Sequence, residues 1–308
     1  MKRILITGAD GFTGRYLAGE FSRAGYEVHG LVRFAIAERL PGVSALHVAD
    51  LADEGSLLAA VREVQPNMVA HLAAIAFVPH GDVQAIYQTN LIGTRNLLNA
   101  LVQTKASLEA VLLASSANVY GNGPGGVLDE STFYGPVNDY AVSKVAMELM
   151  AKLFTDRLPI VMVRPFNYTG IGQSDSFLLP KIVSHVRRRD TVIELGNLDS
   201  ARDFSDVRTV VQYYKRLLEC PAATSQTFNV CSGRAYSLKE VLEIIGSLSG
   251  HKLEIRVNPA FVRANEVKFL WGSRDKLLNM VGVVPDIPLR DTLRWMLEGE
   301  PGASAMLK

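Results

Sequence analysis

Tyr140 and Lys144 stand four residues apart in Tyr140-Ala141-Val142-Ser143-Lys144. On a helix that spacing puts a phenol and an ammonium on one face, one turn apart. Reducing a carbonyl by hydride requires a proton for the forming alkoxide, and a phenol with a pKa of about 10 releases its proton reluctantly at neutrality. An ammonium ~4 Å away, at an effective dielectric near 20, favours the phenolate by about 4 kcal/mol, on the order of three pKa units. The pair therefore predicts a Tyr140 that titrates near about 7. Ser116, in Ala114-Ser115-Ser116-Ala117-Asn118-Val119-Tyr120-Gly121, follows an apolar run and would hold the carbonyl oxygen in line. The tyrosine–lysine pair alone is a weak signal in a chain with ten tyrosines; with Ser116 and the loop described next it becomes specific.

That loop is Thr7-Gly8-Ala9-Asp10-Gly11-Phe12-Thr13-Gly14. Three glycines at this spacing, between an apolar run and a helical pattern, suit a dinucleotide: one for the tight turn, one for close approach of a pyrophosphate, one for helix–strand packing. The helix N-terminus adds free N–H groups and partial positive charge. Gly8, Gly11, Phe12, Thr13 and Gly14 are the candidate phosphate cradle, and Tyr140 and Lys144 also reach the cofactor, Lys144 through the nicotinamide ribose. A carboxylate closing the second strand would select NAD, whereas a basic residue there accommodates the 2′-phosphate of NADP. Val28-His29-Gly30-Leu31-Val32-Arg33 has no acid and ends in Arg33, which favours NADP(H), with NAD(H) still allowed. Asp50 and Leu51 after the third strand would meet the adenine, and Leu72, Ala73 and Ala74 after the fourth would let the cofactor lie against backbone.

Positioning these groups takes a sheet. Short, consecutively apolar runs at 3–6, 27–32, 45–48, 68–72, 111–114 and 160–163 read as strands buried on both faces. Helical patterns near 13–24, 53–64, 83–104 and 138–156 lie between them. The alternation predicts an α/β fold, a doubly wound parallel (Rossmann) sheet, with a smaller C-terminal α/β domain. The division expected is 1–165 with about 204–231 for the nucleotide, 166–203 with 232–298 for the substrate, and a loose tail at 299–308. Residues 226–230 read as one more strand of the main sheet, and Ser237 with Glu240 as a capping box opening a helix.

The chain has 308 residues, with 32 Lys+Arg against 31 Asp+Glu. That balance argues against a nucleic-acid binder, which would show a basic excess. Cys220 and Cys231 are too few for a disulfide framework and form no zinc pattern. No signal-like stretch precedes the first strand and no run has the length to span a bilayer, so a reducing, cytoplasmic setting without membrane contact is expected.

With TGxxGFxG, SSxxVYG and YxxxK in this order, the chain resembles the extended branch of the short-chain dehydrogenase/reductase superfamily over essentially its whole length. Four further stretches are similar to the sugar-nucleotide enzymes of that branch. They are Arg164-Pro165-Phe166-Asn167-Tyr168-Thr169-Gly170, Gly196-Asn197-Leu198-Asp199 with Arg202-Asp203-Phe204, Phe228-Asn229-Val230-Cys231-Ser232-Gly233, and Arg263-Ala264-Asn265-Glu266-Val267. The pattern most resembles reductases of GDP-4-keto-6-deoxy-D-mannose, which make GDP-D-rhamnose. The resemblance implies substrate contacts at Ser116, Asn167, Lys181, Arg202, Arg263 and Glu266, with the arginines on the diphosphate and Glu266 on ribose hydroxyls. It also implies a homodimer through the helices near 83–104 and 138–154. The apolar stripe Val142, Val145, Ala146, Leu149, Met150 and Leu153 on the latter helix otherwise reads as deep burial.

Related dehydratases carry Thr-Asp-Glu where this chain has Ser116-Ala117-Asn118, and neither Ala117 nor Asn118 can do acid–base work at C5 and C6. The stretch Ile75-Ala76-Phe77-Val78-Pro79-His80 is more apolar than is usual there, with His80 a candidate for a sugar hydroxyl or a loop residue without a role. The expected activity is NADPH-dependent reduction of the C4 ketone of a nucleotide-linked 4-keto-6-deoxyhexose. The alternatives are a 4-epimerase with tightly held NAD, a reductase of a dTDP- or UDP-linked keto sugar, one giving the 6-deoxytalose product, and a non-catalytic NADP-binding protein.

Overall fold

The computed structural model describes residues 1–76, 82–104, 107–122, 126–196, 200–259 and 269–299. The first half runs β1 (Arg3–Thr7), α1 (Phe12–Arg23), β2 (Glu27–Val32), β3 (Ala45–Val48), α2 (Glu54–Val64), β4 (Met68–His71), α3 (Val83–Tyr87), a π-helical turn (Gln88–Gly93), α4 (Thr94–Thr104), β5 (Ala110–Ala114), α5 (Asp139–Ala151) and β6 (Ile160–Pro165). The second half runs β7 (Asn167–Thr169), α6 (Leu178–Arg187), β8 (Val192–Leu195), β9 (Ala201–Asp206), α7 (Val207–Leu218), β10 (Thr227–Val230), β11 (Ala235–Ser237), α8 (Leu238–Ser249), β12 (Glu254–Val257), β13 (Phe269–Leu270), α9 (Asp275–Val281) and α10 (Leu289–Glu298).

Seven strands form one parallel sheet in the order β10-β6-β5-β4-β1-β2-β3. Consecutive apolar residues put both sheet faces under cover: Ile4 and Ile6 pack with Leu17, Phe21, Val210 and Tyr214 on one side. On the other side Leu5, Val69, Val111 and Leu113 pack with Leu57, Leu97, Leu101 and Met147. Chain order reverses between β1 and β4, and the crevice beyond their carboxyl ends is where such sheets take ligands. The smaller sheet pairs β9 with β7, β11 and β13, and a third core around Leu179, Ile182, Phe204, Val241 and Leu293 joins it to α6, α8 and α10.

Local chemistry starts the helices, with the expected Ser237–Glu240 box among the caps, while α5 stops at Ala151, short of the expected 156. Asp53 caps α2 by accepting from Gly55 and Ser56 N–H, Asn138 caps α5 by accepting from Ala141 N–H, and Ser237 with Glu240 closes a capping box on α8. The expected helix at 83–104 is present but changes pitch at the π-helical turn, which turns Asn90 inward: Ile75 N–H donates to its Oδ1 and its Nδ2 donates to Ile75 O.

The stripe on α5 corrects the burial reading. Met147 and Ala151 reach the core, but Val142, Leu149 and Leu153 stay exposed, Leu153 at 68%. Two helices cannot hide an apolar face wider than their shared contact. No helix among the described residues is long and apolar enough to cross a membrane.

Candidate active site

Three consecutive residues at the end of β5 meet three residues of α5. The Ala114 carbonyl accepts from Lys144 Nζ at 2.8 Å, the Ser115 hydroxyl donates to Glu148 Oε1 at 2.5 Å, and the Ser116 hydroxyl lies near enough to the Tyr140 phenol to favour its ionised form. Tyr140, Lys144 and Glu148 are successive fours on one face of the helix, which Asn138 starts at the right register. Ser116 is also fixed from behind, since its Oγ accepts from Asn118 N–H at 3.2 Å.

The electrostatics correct the expected Tyr140 titration. Burial pushes the phenol up to about 12, with the nearby Ser116 hydroxyl easing the rise and Tyr168 adding to it. Burial pulls Lys144, 5% exposed, down to about 8, and Glu148 pushes back. A phenol lowered by its neighbouring ammonium belongs to a partly solvated pair. Here both groups are desolvated, and the ammonium is turned onto the Ala114 carbonyl. At neutral pH the phenol is protonated and the ammonium charged, the states a proton donor and its electrostatic partner need.

The glycine loop is built around close approaches. Gly8 has φ +67°, and a Cβ on it would stand 3.0 Å from Cα of Ala73; a Cβ on Gly14 would stand 2.2 Å from Gly8 O. A Cβ on Gly11 meets only Gly8 O, at 3.2 Å, and no side chain caps α1. An uncapped helix N-terminus with glycine at its mouth fits an anionic phosphate. Thr13 Oγ1 is 2.8 Å from the Tyr168 hydroxyl, and Phe12 stacks on Tyr168 with ring centres 6.0 Å apart, which ties the loop to β7.

Arg33 lies at the expected strand end, exposed, with its Nε donating to Asp50 Oδ2 at 2.9 Å. Asp50 Oδ1 accepts from Ala52 N–H, and Leu51 is buried. Leu72 and Ala73 donate their N–H groups to Thr7 Oγ1 at 3.2 and 3.1 Å, and Ala74 is half-buried beside them. Thr7, having accepted those bonds, donates to His71 Nδ1 at 2.8 Å; His71 Nε2 then donates to Thr94 Oγ1, which donates to Asn90 O. This order of donors makes His71 a neutral imidazole protonated on Nε2, and burial holds it down to about 3.

Glu148 is the centre of a second buried group. Arg164 Nε and Nη2 donate to its two oxygens at 3.0 and 2.7 Å, and the Tyr134 hydroxyl donates at 2.9 Å. Arg164 Nη1 also donates to the Tyr120 hydroxyl, which donates to Asn229 Oδ1. Neither Glu148 nor its pairing was foreseen, although a carboxylate four residues past Lys144, inside an apolar stripe, was the available signal.

Of the expected substrate contacts, Asn167 opens β7 with a buried Nδ2 that has no hydrogen-bond partner. That orphan donor fits a ligand acceptor. Lys181 donates to Glu194 O at 2.8 Å and lines a shallow pocket of about 190 Å³ with Asp175, Ser176, Ser184, His185 and Arg188; no triad residue lines it. Arg202 donates to Ala201 O at 3.0 Å. Arg263, Glu266, His80, Asn197 to Asp199 and the tail beyond Gly299 lie outside the described residues. Among the described residues no group of histidine, cysteine or carboxylate side chains is arranged to hold a metal ion.

Residues 5–296 match the family model of GDP-mannose 4,6 dehydratase. A GDP-6-deoxy-D-talose 4-dehydrogenase of Aggregatibacter actinomycetemcomitans is 35% identical over 283 residues, 91% of each chain. A GDP-6-deoxy-D-mannose reductase of Pseudomonas aeruginosa is 33% identical over 307 residues, 96% of each. Among solved structures, a provisionally assigned epimerase from Burkholderia cenocepacia J2315 superposes with a TM-score of 0.90 at 51% identity, covering 96% of this chain and 97% of that one. RMD from Pseudomonas aeruginosa, complexed with NADPH, superposes with a TM-score of 0.83 at 31% identity, covering 96% and 98%.

Proposed function

The chain belongs to the GDP-mannose 4,6-dehydratase family, and from that premise we propose that it is an NADPH-dependent reductase of the C4 ketone of a nucleotide-linked 4-keto-6-deoxyhexose, converting GDP-4-keto-6-deoxy-D-mannose to GDP-D-rhamnose. The observation that carries this reading is the Tyr140 phenol set beside Ser116 and one turn from Lys144, whose ammonium is tied to the Ala114 carbonyl. Ala117 and Asn118, beside Ser116, supply no acid or base for dehydration.

In this reading residues 1–165 with about 204–231 take the nucleotide cofactor, and 166–203 with 232–298 take the sugar nucleotide. Gly8, Gly11, Phe12, Thr13 and Gly14 hold the pyrophosphate; Arg33 takes the 2′-phosphate. Asp50 and Leu51 meet the adenine, and Leu72, Ala73 and Ala74 flank the path to the nicotinamide. When bound, the nicotinamide supplies the hydride that adds to C4. Tyr140 gives its proton to the C4 oxygen, Ser116 holds that oxygen in place, and Lys144 favours the phenolate left behind until solvent reprotonates it. Asn167, Lys181, Arg202, Arg263 and Glu266 hold the sugar nucleotide. The exposed Val83, Ile92, Val142, Leu149 and Leu153 meet a second copy of the chain in a homodimer.

The experiment is turnover of freshly generated GDP-4-keto-6-deoxymannose with NADPH, and NMR of the product. A rhamnose-type C4 supports the full reading; a talose-type C4, which the 35% relative's name suggests, keeps the reductase and corrects the face of attack. The 51% identical structure favours a second reading, a sugar-nucleotide 4-epimerase. That enzyme would retain NAD through purification and would need no added reductant.

A further inference from the structure

We propose that Glu148, gripped by Arg164, is a positioning residue for proton delivery: its carboxylate, one turn beyond Lys144 on the same helix, keeps Lys144 charged against the end of β5. The proposal rests on the reductase reading for its consequence in turnover, but its geometry stands in this chain alone.

Glu148 is 2% exposed, and its oxygens accept from Arg164, Tyr134 and Ser115. A carboxylate at that depth is costly unless paired and hydrogen-bonded, and the guanidinium fork supplies both. Lys144, Glu148 and Arg164 together carry one net positive charge. Without the carboxylate, Lys144 would lose the anion one turn along its own helix that favours its charged form, and a lysine, unlike an arginine, can shed its proton.

The groups facing Lys144 are His71 from β4, the Ala114 carbonyl from β5, and Tyr140 and Glu148 from its own helix; Arg164 approaches from β6 behind Glu148. His71 is neutral, and any charge on it would oppose the ammonium. Glu148 is therefore the anion that favours a charged Lys144. It also sets position. Ser115 donates to Glu148, its neighbour Ala114 accepts from Lys144, and Ser116 lies beside the Tyr140 phenol. A single strand end thus reads the whole face of α5, with Glu148 as its third anchor.

The test titrates Lys144 in the cofactor-free protein by the ¹³Cε shift of labelled lysine, assigned with Lys144→Arg, and follows the alkaline limb of kcat/KM in parallel. Glu148→Gln should lower the Lys144 midpoint by at least about one pH unit, tenfold in the protonated fraction above it, and the alkaline limb should move with it. Glu148→Asp, which keeps the charge while disturbing the packing, should stay within about half a unit of the parent. Glu148→Gln/Arg164→Gln, neutral at both positions, should lower the midpoint about as far as Glu148→Gln, and it carries the test if the single variant fails to fold. Lowered thermal stability in these variants with an unchanged Lys144 midpoint would overturn the proposal and leave Glu148 a structural tie. Should no sugar nucleotide be reduced, the reductase reading fails while the titration still decides the role of Glu148.

Discussion

The Lys144 ammonium donates to the carbonyl of Ala114 at 2.8 Å, so the cation of α5 is tied to the strand that leads into Ser116. Burial raises the phenol above the titration the spacing predicts, and this bond holds the ammonium on the strand beside it. The ammonium is placed to receive charge that develops on Tyr140 rather than to ionise it beforehand.

Tyr140→Phe removes the proton donor and keeps the ring. Turnover should fall by at least ~100-fold, while NADPH affinity changes little. Single-turnover oxidation of NADPH beside a binding titration checks both; undiminished turnover would remove Tyr140 from the mechanism.

The pH profile follows from two buried groups. Tyr140, raised to about 12, stays protonated across the working range, whereas Lys144, lowered to about 8, loses its charge just above neutrality. Reductase kcat/KM should be level near pH 7 and fall as pH rises through about 8. A profile level beyond pH 9, where the ordinary lysine of pKa about 10.4 still holds its proton, would contradict the assigned lysine.

His71 makes an acid-stability prediction. Its folded pKa, about 3, lies below its ordinary 6.5, so the unfolded chain takes up the proton first. Stability is therefore full above pH 6.5 and is lost as pH falls toward 3. Between pH 6.5 and 4.5 the loss from this residue is about 2–3 kcal/mol. Urea unfolding across that window should show it, and His71→Asn should flatten the slope while lowering stability at neutral pH.

Much of this was legible in the sequence, for identifiable reasons. Fully buried parallel strands announce themselves as apolar runs, and 27–32 and 45–48 match their strands end to end. The glycine loop, Ser116, Tyr140 and Lys144 were legible because their spacing is set by local geometry. Glu148 and Arg164 were not: they are sixteen residues apart and meet only because β6 returns beside β5 under α5. The π-helical turn at 88–93 has the same origin, since Asn90 is drawn inward by the backbone of Ile75. Burial also reversed the expected phenol titration, because desolvation depends on packing that no spacing encodes.

Arg33→Ser tests cofactor choice. Losing one charge-assisted contact to a phosphate, roughly 1.5–3 kcal/mol, should raise KM for NADPH by about 10- to 100-fold and leave NADH nearly unchanged. Equal effects on both cofactors would assign Arg33 to the surface pair with Asp50 alone.

The exposed apolar side chains on α5 and the turn that follows it predict association. Leu149→Glu/Leu153→Glu should convert a dimer into a monomer in sedimentation equilibrium without loss of helix content. A parent protein that sediments as a monomer at micromolar concentration would refute the dimer.

The most direct test of the central claim is consumption of NADPH and of NADH, in parallel, by the purified protein with freshly generated GDP-4-keto-6-deoxymannose. Rapid loss of NADPH, slower with NADH and abolished by Tyr140→Phe, is the predicted result. No consumption of either, with NAD released from the protein on denaturation, would contradict the reductase of this substrate and favour the epimerase reading or another nucleotide sugar.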